Sequence, residues 1–134
     1  MLVKDIMTRN VATARPDTSL REAAEIMADN HIGCLVVKTD GKINGIITDR
    51  DVLLAVADEK NKNLGSLKVK DIMTNYVITI HSANPVEKAV RLMIENRIKK
   101  LPVVDNDRLV GIITMSDIIW SQPGSVEQLA KVKK

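Results

Sequence analysis

Thr48-Asp49-Arg50-Asp51 and Thr114-Met115-Ser116-Asp117 each set a hydroxyl and a carboxylate three residues apart, directly after Gly-Ile-Ile. Two kinds of chemistry suit that spacing. In the first turn of a helix, the Thr oxygen accepts from the Asp N–H and the carboxylate accepts from the Thr N–H, a reciprocal cap. The same helix start also offers unpaired N–H groups and the positive end of the helix. Its carboxylate can accept from two vicinal hydroxyls, as a ribose presents them. Capping and binding do not exclude each other, and the motif alone does not choose between them.

Catalytic chemistry has little to stand on. His31 and His81 are isolated, with no G-x-S-x-G or Cys/His context, and each reads as a surface or satisfied residue. The chain carries neither G-x-G-x-x-G nor a Walker A loop. Cys34 is its only cysteine, which removes disulfides and Cys-based metal sites and reads as a small buried thiol. Asp49-Arg50-Asp51 would meet Mg²⁺ only through bound phosphates.

The two motifs belong to a duplication. Val3–Thr8 and Val69–Thr74 both read VKDIMT, and an ungapped offset of 66 gives 19 identities in 52 pairs. A short extended piece at Val11–Thr13 or Val77–Ile80 leads into a helix with one apolar face. That face carries Leu20, Ala23, Ala24 and Met27, or Val86, Ala89, Val90 and Met93. Thr18 and Asn84 are the expected caps, the latter with Pro85 at the first helical position and Glu87 closing a box.

Strands follow at Cys34–Lys38 and Leu101–Val104. Turns at Asp40-Gly41 and Asp105-Asn106-Asp107 then return the chain through Ile43–Ile47 and Leu109–Ile113. Closing helices begin at Thr48 and Thr114. The reading is α+β, two β-α-β-β-α copies over residues 1–66 (linker 58–66) and 67–134 (tail 121–134). About 60 residues make a marginal core, so the copies are expected to pack sheet to sheet with helices outside. Ser125 could cap a short last helix. Met7, Met73 and Trp120 are expected in the core, Trp120 alternatively at a subunit contact.

Composition sets the outer bounds. The chain has 134 residues, 45% hydrophobic and 28% charged, as in ordinary globular proteins. Net charge is +3, much of it from Lys60, Lys62, Lys68, Lys70 and the tail lysines Lys131, Lys133 and Lys134. One Trp, one Tyr and no Phe leave few stacking platforms, which argues against nucleic acid as a partner. No stretch approaches a signal peptide or a membrane span, so a soluble cytoplasmic protein is expected.

With its tandem copies, its Gly-Ile-Ile-Thr-x-x-Asp ends and its Lys99–Asp105 strand KKLPVVD, the chain resembles a CBS-domain pair, the Bateman module, over Val3 to Trp120. The resemblance implies a regulatory module that senses AMP, ADP or ATP without catalysis or required cofactor, Mg²⁺ entering only with ATP. It implies S-adenosylmethionine or NAD-type ligands as alternatives. A protein- or nucleic-acid-interaction module with a vestigial cleft is the other reading.

It further implies clefts between the copies. One would use Thr48, Arg50 and Asp51 with Tyr76, Val77, Ile78, Ile98, Lys99, Lys100 and Pro102. The mirror site would use Thr114, Ser116 and Asp117 with Asn10, Val11, Ala12, Thr13, Ile32, Gly33 and Cys34. The aspartates would take ribose hydroxyls, with the Thr and Ser near the phosphates. Val36 against Pro102, and Gly33-Cys34 against Lys99-Lys100, make the two sites unequal, the basic residues favouring phosphates at the first. At most one of the two adjacent lysines would point inward. The resemblance also implies a homodimer through Val52, Leu53, Val56, Ile118 and Ile119, and an unknown regulated protein.

Overall fold

The computed structural model describes residues 1–58, 60 and 63–121. Lys62, the Ser125 cap and the tail lysines lie outside the described residues.

The chain folds as two compact units, each a three-stranded sheet with helices. Unit 2 is Val11–Val77; unit 1 joins Met1–Asn10 to the chain from Ile78 onward. These units are offset from the sequence repeats, because each takes its opening VKDIMT segment from the other repeat. The segments form one-turn helices, α1 (Val3–Ile6) and α4 (Val69–Ile72), which sequence periodicity is too short to register. Val3 and Val69 are fully buried, one in each core, and that burial fixes the exchange.

In unit 2, β1 (Thr13–Ala14) pairs parallel with β2 (Cys34–Thr39), which pairs antiparallel with β3 (Lys42–Thr48). Helix α2 (Leu20–Asp29) precedes β2, and α3 (Asp49–Ala57) follows β3. Unit 1 repeats the order with β4 (Ile80–His81), α5 (Val86–Asn96), β5 (Lys100–Asp105), β6 (Arg108–Thr114) and α6 (Met115–Ser121). The expected element order holds in both units, with β1 and β4 shorter and later than read. Both hairpins turn on two residues of positive φ, Asp40-Gly41 and Asn106-Asp107, the backbone a tight two-residue turn requires.

Each core lies on one sheet face. Leu35, Val37 and Ile47 meet Leu20, Ala23 and Met27 in unit 2, as Leu101, Val103 and Ile113 meet Val86, Ala89 and Met93 in unit 1. The open edges of β3 and β6 take the residues after α4 and α1 respectively. Thr74 and Ile46 exchange two backbone hydrogen bonds (2.9 and 3.0 Å), as do Thr8 and Ile112 (2.8 and 2.9 Å). Glycine is required beneath them. A Cβ at Gly45 would lie 2.6 Å from the Thr74 carbonyl, and one at Gly111 would lie 2.6 Å from the Met7 sulfur.

Several expectations need correction. Ser19, not Thr18, caps α2, its Oγ accepting from Glu22 N–H at 3.0 Å; Thr18 instead accepts from Arg15 N–H. Pro85 stands at the N-cap of α5 without a side-chain bond, and Val86 N–H donates to the Met1 carbonyl at 3.0 Å. The incoming N-terminal segment does the work expected of Asn84. Trp120 is 72% exposed, so it is no core residue. Ile118, expected on an outward face, is buried with Val3 and Leu101. Met7 and Met73 pack half-buried against their cores.

Candidate functional site

Strand β3 runs straight into α3, and β6 into α6, so Thr48 and Thr114 are both the last strand residue and the helix start. Each sheet therefore delivers its Thr-x-x-Asp at the end of a buried central pairing. Thr48 N–H donates to Asp51 Oδ2 at 2.9 Å and Asp51 N–H to Thr48 Oγ1 at 3.1 Å. Thr114 and Asp117 make the same two bonds, both at 3.0 Å. The capping reading is thus realised in full, twice. It occupies Oδ2 of each carboxylate, and Oδ1 accepts no hydrogen bond among the described residues. All four side chains are half-buried.

The surroundings differ. In unit 2, Cys34 stands opposite Thr48 in the sheet, and the Gly33 carbonyl accepts from Asp49 N–H at 2.9 Å. The Ala12 carbonyl accepts from Val36 N–H at 3.2 Å, with Thr13 beside Val36 in register. Ala12, Thr13, Gly33, Cys34, Thr48 and Asp51 thereby gather at one end of the sheet. Arg50 is exposed, and its guanidinium forms no ion pair among the described residues. Asn10 is exposed in unit 1, Tyr76 is 80% exposed, and Val11, Ile32 and Val77 are half-buried.

In unit 1, Lys100 stands opposite Thr114, and the Lys99 carbonyl accepts from Met115 N–H at 2.8 Å. Lys99 is exposed and Lys100 half-buried, as adjacent residues entering a strand should differ. Ile78 and Ile98 pack against the core, Pro102 is fully buried opposite Ile112, and Ser116 is exposed. Within unit 1, then, the two lysines neighbour the Thr114 motif. Within unit 2 the Thr48 motif has Arg50 in its own first turn.

One polar cluster escaped the reading of the sequence. His81 Nε2 lies 3.2 Å from Asp105 Oδ1, the Ser82 hydroxyl donates to the same oxygen, and His81 Nδ1 accepts from Ala83 N–H at 3.0 Å. Asp105 is 24 positions beyond His81, and only the parallel pairing of β4 with β5 brings them together. Among the described residues no three His, Cys, Asp or Glu side chains are placed to hold a metal. No helix among them is long and apolar enough to cross a membrane.

Comparison with known proteins agrees with this arrangement. The family model described as CBS domain matches twice, over residues 3–58 and 69–123. CBS domain-containing protein YhcV of Bacillus subtilis is 33% identical over 120 residues, covering 90% of this chain and 84% of that protein. The crystal structure of the CBS-domain containing protein ATU1752 from Agrobacterium tumefaciens superposes with a TM-score of 0.80 at 34% identity, covering 90% of this chain and 98% of that one. The CBS domain pair of protein MJ0100, solved in complex with 5′-methylthioadenosine and S-adenosyl-L-methionine, is 39% identical with a TM-score of 0.78. It covers 88% of this chain and 96% of that one.

Proposed function

Since the chain belongs to the CBS-domain family as a tandem pair, a regulatory module, we propose that it senses an adenosine-containing ligand and carries no catalysis of its own. The observation that supports this most is the paired helix start. Each Asp spends one oxygen on its cap and keeps the other for a ribose hydroxyl, beside N–H groups suited to an anion. Thr48, Arg50 and Asp51 anchor one ligand; Thr114, Ser116 and Asp117 anchor the other. Arg50, Lys99 and Lys100 favour phosphates, so AMP, ADP or ATP lead, Mg²⁺ accompanying ATP only. A relative's complex with 5′-methylthioadenosine and S-adenosyl-L-methionine supports S-adenosylmethionine as the second reading.

A second copy of the chain is the proposed partner for the exposed apolar side chains of α3 and α6, Leu53 (69%), Val56 (58%) and Trp120 (72%). Sedimentation of the parent and of Leu53→Glu tests this, a dimer in the parent only being expected.

A thermal-shift panel of AMP, ADP, ATP, S-adenosylmethionine and NADH tests the ligand. At a ligand concentration of 1,000 Kd, binding raises stability by about 4 kcal/mol. The shift should vanish for the Asp51→Ala/Asp117→Ala double variant. A parent that responds to none of the five is an interaction module instead, and the ligand reading falls.

A further inference from the structure

A helix start leaves four backbone N–H groups without helical partners. At the start of α3 each of the four has an acceptor. Thr48 N–H donates to Asp51 Oδ2 at 2.9 Å, Asp49 N–H to the Gly33 carbonyl at 2.9 Å, and Asp51 N–H to Thr48 Oγ1 at 3.1 Å. The remaining one, Arg50 N–H, donates to Oδ1 of Asp49 at 2.8 Å, so that this carboxylate is folded back onto the end of its own helix.

The start of α6 repeats three of these bonds and lacks the fourth. Thr114 and Asp117 cap each other, and Met115 N–H donates to the Lys99 carbonyl at 2.8 Å. Met115 stands where unit 2 has Asp49 and carries no oxygen. Ser116 N–H has no hydrogen-bond partner among the described residues. The duplicated helix starts thus differ by one acceptor and one charge.

First-turn N–H groups are where a helix start binds phosphate oxygens. In unit 2 the Asp49 carboxylate already holds one of those places. Its charge is not cancelled locally: Asp49 is exposed and forms no ion pair, with Arg50 or any other side chain, among the described residues. A ligand phosphate must therefore displace Asp49 from the Arg50 N–H, and it must also lie beside a like charge. The Arg50 guanidinium offsets a single negative charge, not those of a whole polyphosphate. A neutral 5′ substituent meets neither obstacle.

Given an adenosine ligand at each helix start, as proposed above, we propose that Asp49 is a specificity-determining residue. Its carboxylate stands in for a ligand phosphate at the start of α3 and turns that site towards adenosine compounds with few or no phosphates. Asp51 holds the ribose, Arg50 attracts a phosphate, and Asp49 sets the limit on how much negative charge follows.

Calorimetry with ATP and with adenosine tests this in the Asp117→Ala background, which leaves the α3 start as the binding site. Asp49→Ala should raise the ratio of ATP affinity to adenosine affinity about tenfold, the worth of one hydrogen bond to a charged group. The gain should shrink as salt is added. Asp49→Asn keeps an oxygen for the Arg50 N–H without the charge, and should give a smaller rise. An unchanged ratio in Asp49→Ala, with both compounds still bound, overturns the role of Asp49 and leaves the ligand reading standing. If neither the Asp117→Ala protein nor its Asp49→Ala variant binds either compound, the ligand reading at α3 falls, and the role of Asp49 falls with it.

Discussion

At the start of α3 the two reciprocal Thr–Asp bonds measure 2.9 and 3.1 Å; at the start of α6 both measure 3.0 Å. Between those fixed ends stand Asp49 and Arg50 in unit 2, and Met115 and Ser116 in unit 1. The cap constrains the first and fourth positions because they complete the helix. The second and third are under no such demand, and it is there that the duplicated units have diverged in charge. The opening segments show the same split: VKDIMT is kept in both, with Val3 and Val69 filling their cores, while the next two residues, Arg9-Asn10 and Asn75-Tyr76, differ.

The harshest test of the two-unit description is to cut the chain. Residues 11–77 contain every buried residue of unit 2, including Val69. Residues 1–66 follow the sequence repeat but lack Val69, the Leu67 carbonyl that accepts from Leu20 N–H, and Thr74, which bridges to Ile46. The 11–77 chain should show a cooperative thermal transition by circular dichroism, and 1–66 should show none. The reverse result would make the repeat, not the compact unit, the folding element.

Leu35 and Leu101 occupy aligned, fully buried positions. Leu→Ala at either should cost about 2–5 kcal/mol in urea unfolding. The two glycines sharpen the comparison, because an added methyl meets the same pair of neighbours at different distances. At Gly45 it would lie 2.6 Å from the Thr74 carbonyl and 2.7 Å from the Met73 sulfur; at Gly111 it would lie 3.0 Å from the Thr8 carbonyl and 2.6 Å from the Met7 sulfur. Overpacking costs about 1–3 kcal/mol. A methionine side chain yields more readily than a backbone carbonyl, so Gly45→Ala should cost more than Gly111→Ala, and equal losses would mean that the Thr74 carbonyl is displaced as readily as that of Thr8.

The duplication, the element order and the two core faces were legible because each rests on a local period or a repeated string. The caps of α2 and α5 were misplaced for a physical reason: Leu20 and Val86 donate to Leu67 and Met1, far away in sequence, so local cap chemistry is partly replaced by tertiary bonds. Trp120 is expected in the core or at a subunit contact, and the core alternative fails because the turn of α6 that buries Ile118 leaves Trp120, two residues on, outside. Thr48, Asp51, Thr114 and Asp117 were legible as a unit because their spacing is that of a helix turn. The His81–Asp105 contact was not, since it depends on the pairing of β4 with β5.

Asp51→Ala and Asp117→Ala separate cap from ligand in each unit. As caps alone, each should lower stability by about 0.5–2 kcal/mol and leave ligand affinity unchanged. As ribose holders as well, each should also remove one of two binding events by calorimetry. A variant that loses stability and retains both events assigns that carboxylate to the fold only.

The smallest effect on the fold, and the finest test of the comparison, comes from exchanging Arg50 and Ser116. Arg50 is exposed and makes no ion pair among the described residues, and Ser116 is exposed too, so Arg50→Ser with Ser116→Arg should change stability by less than about 0.5 kcal/mol. Ligand choice should respond where stability does not. A guanidinium bonded to phosphate contributes about 1.5–3 kcal/mol, roughly tenfold or more in affinity. In an Asp117→Ala background, which leaves the α3 start as the binding site, Arg50→Ser should cut the preference for ATP over adenosine by that factor. In an Asp51→Ala background, Ser116→Arg should raise it correspondingly. Both changes should shrink as salt is added, because exposed charges are screened over about 8–10 Å at physiological ionic strength. If Arg50→Ser leaves the ranking intact while Lys99→Ala/Lys100→Ala flattens it, the phosphates belong to the lysines of β5 and its approach. The divergence inside the Thr-x-x-Asp motif would then be surface variation, and ligand selectivity would have to be sought in the difference between Gly33-Cys34 and Lys99-Lys100.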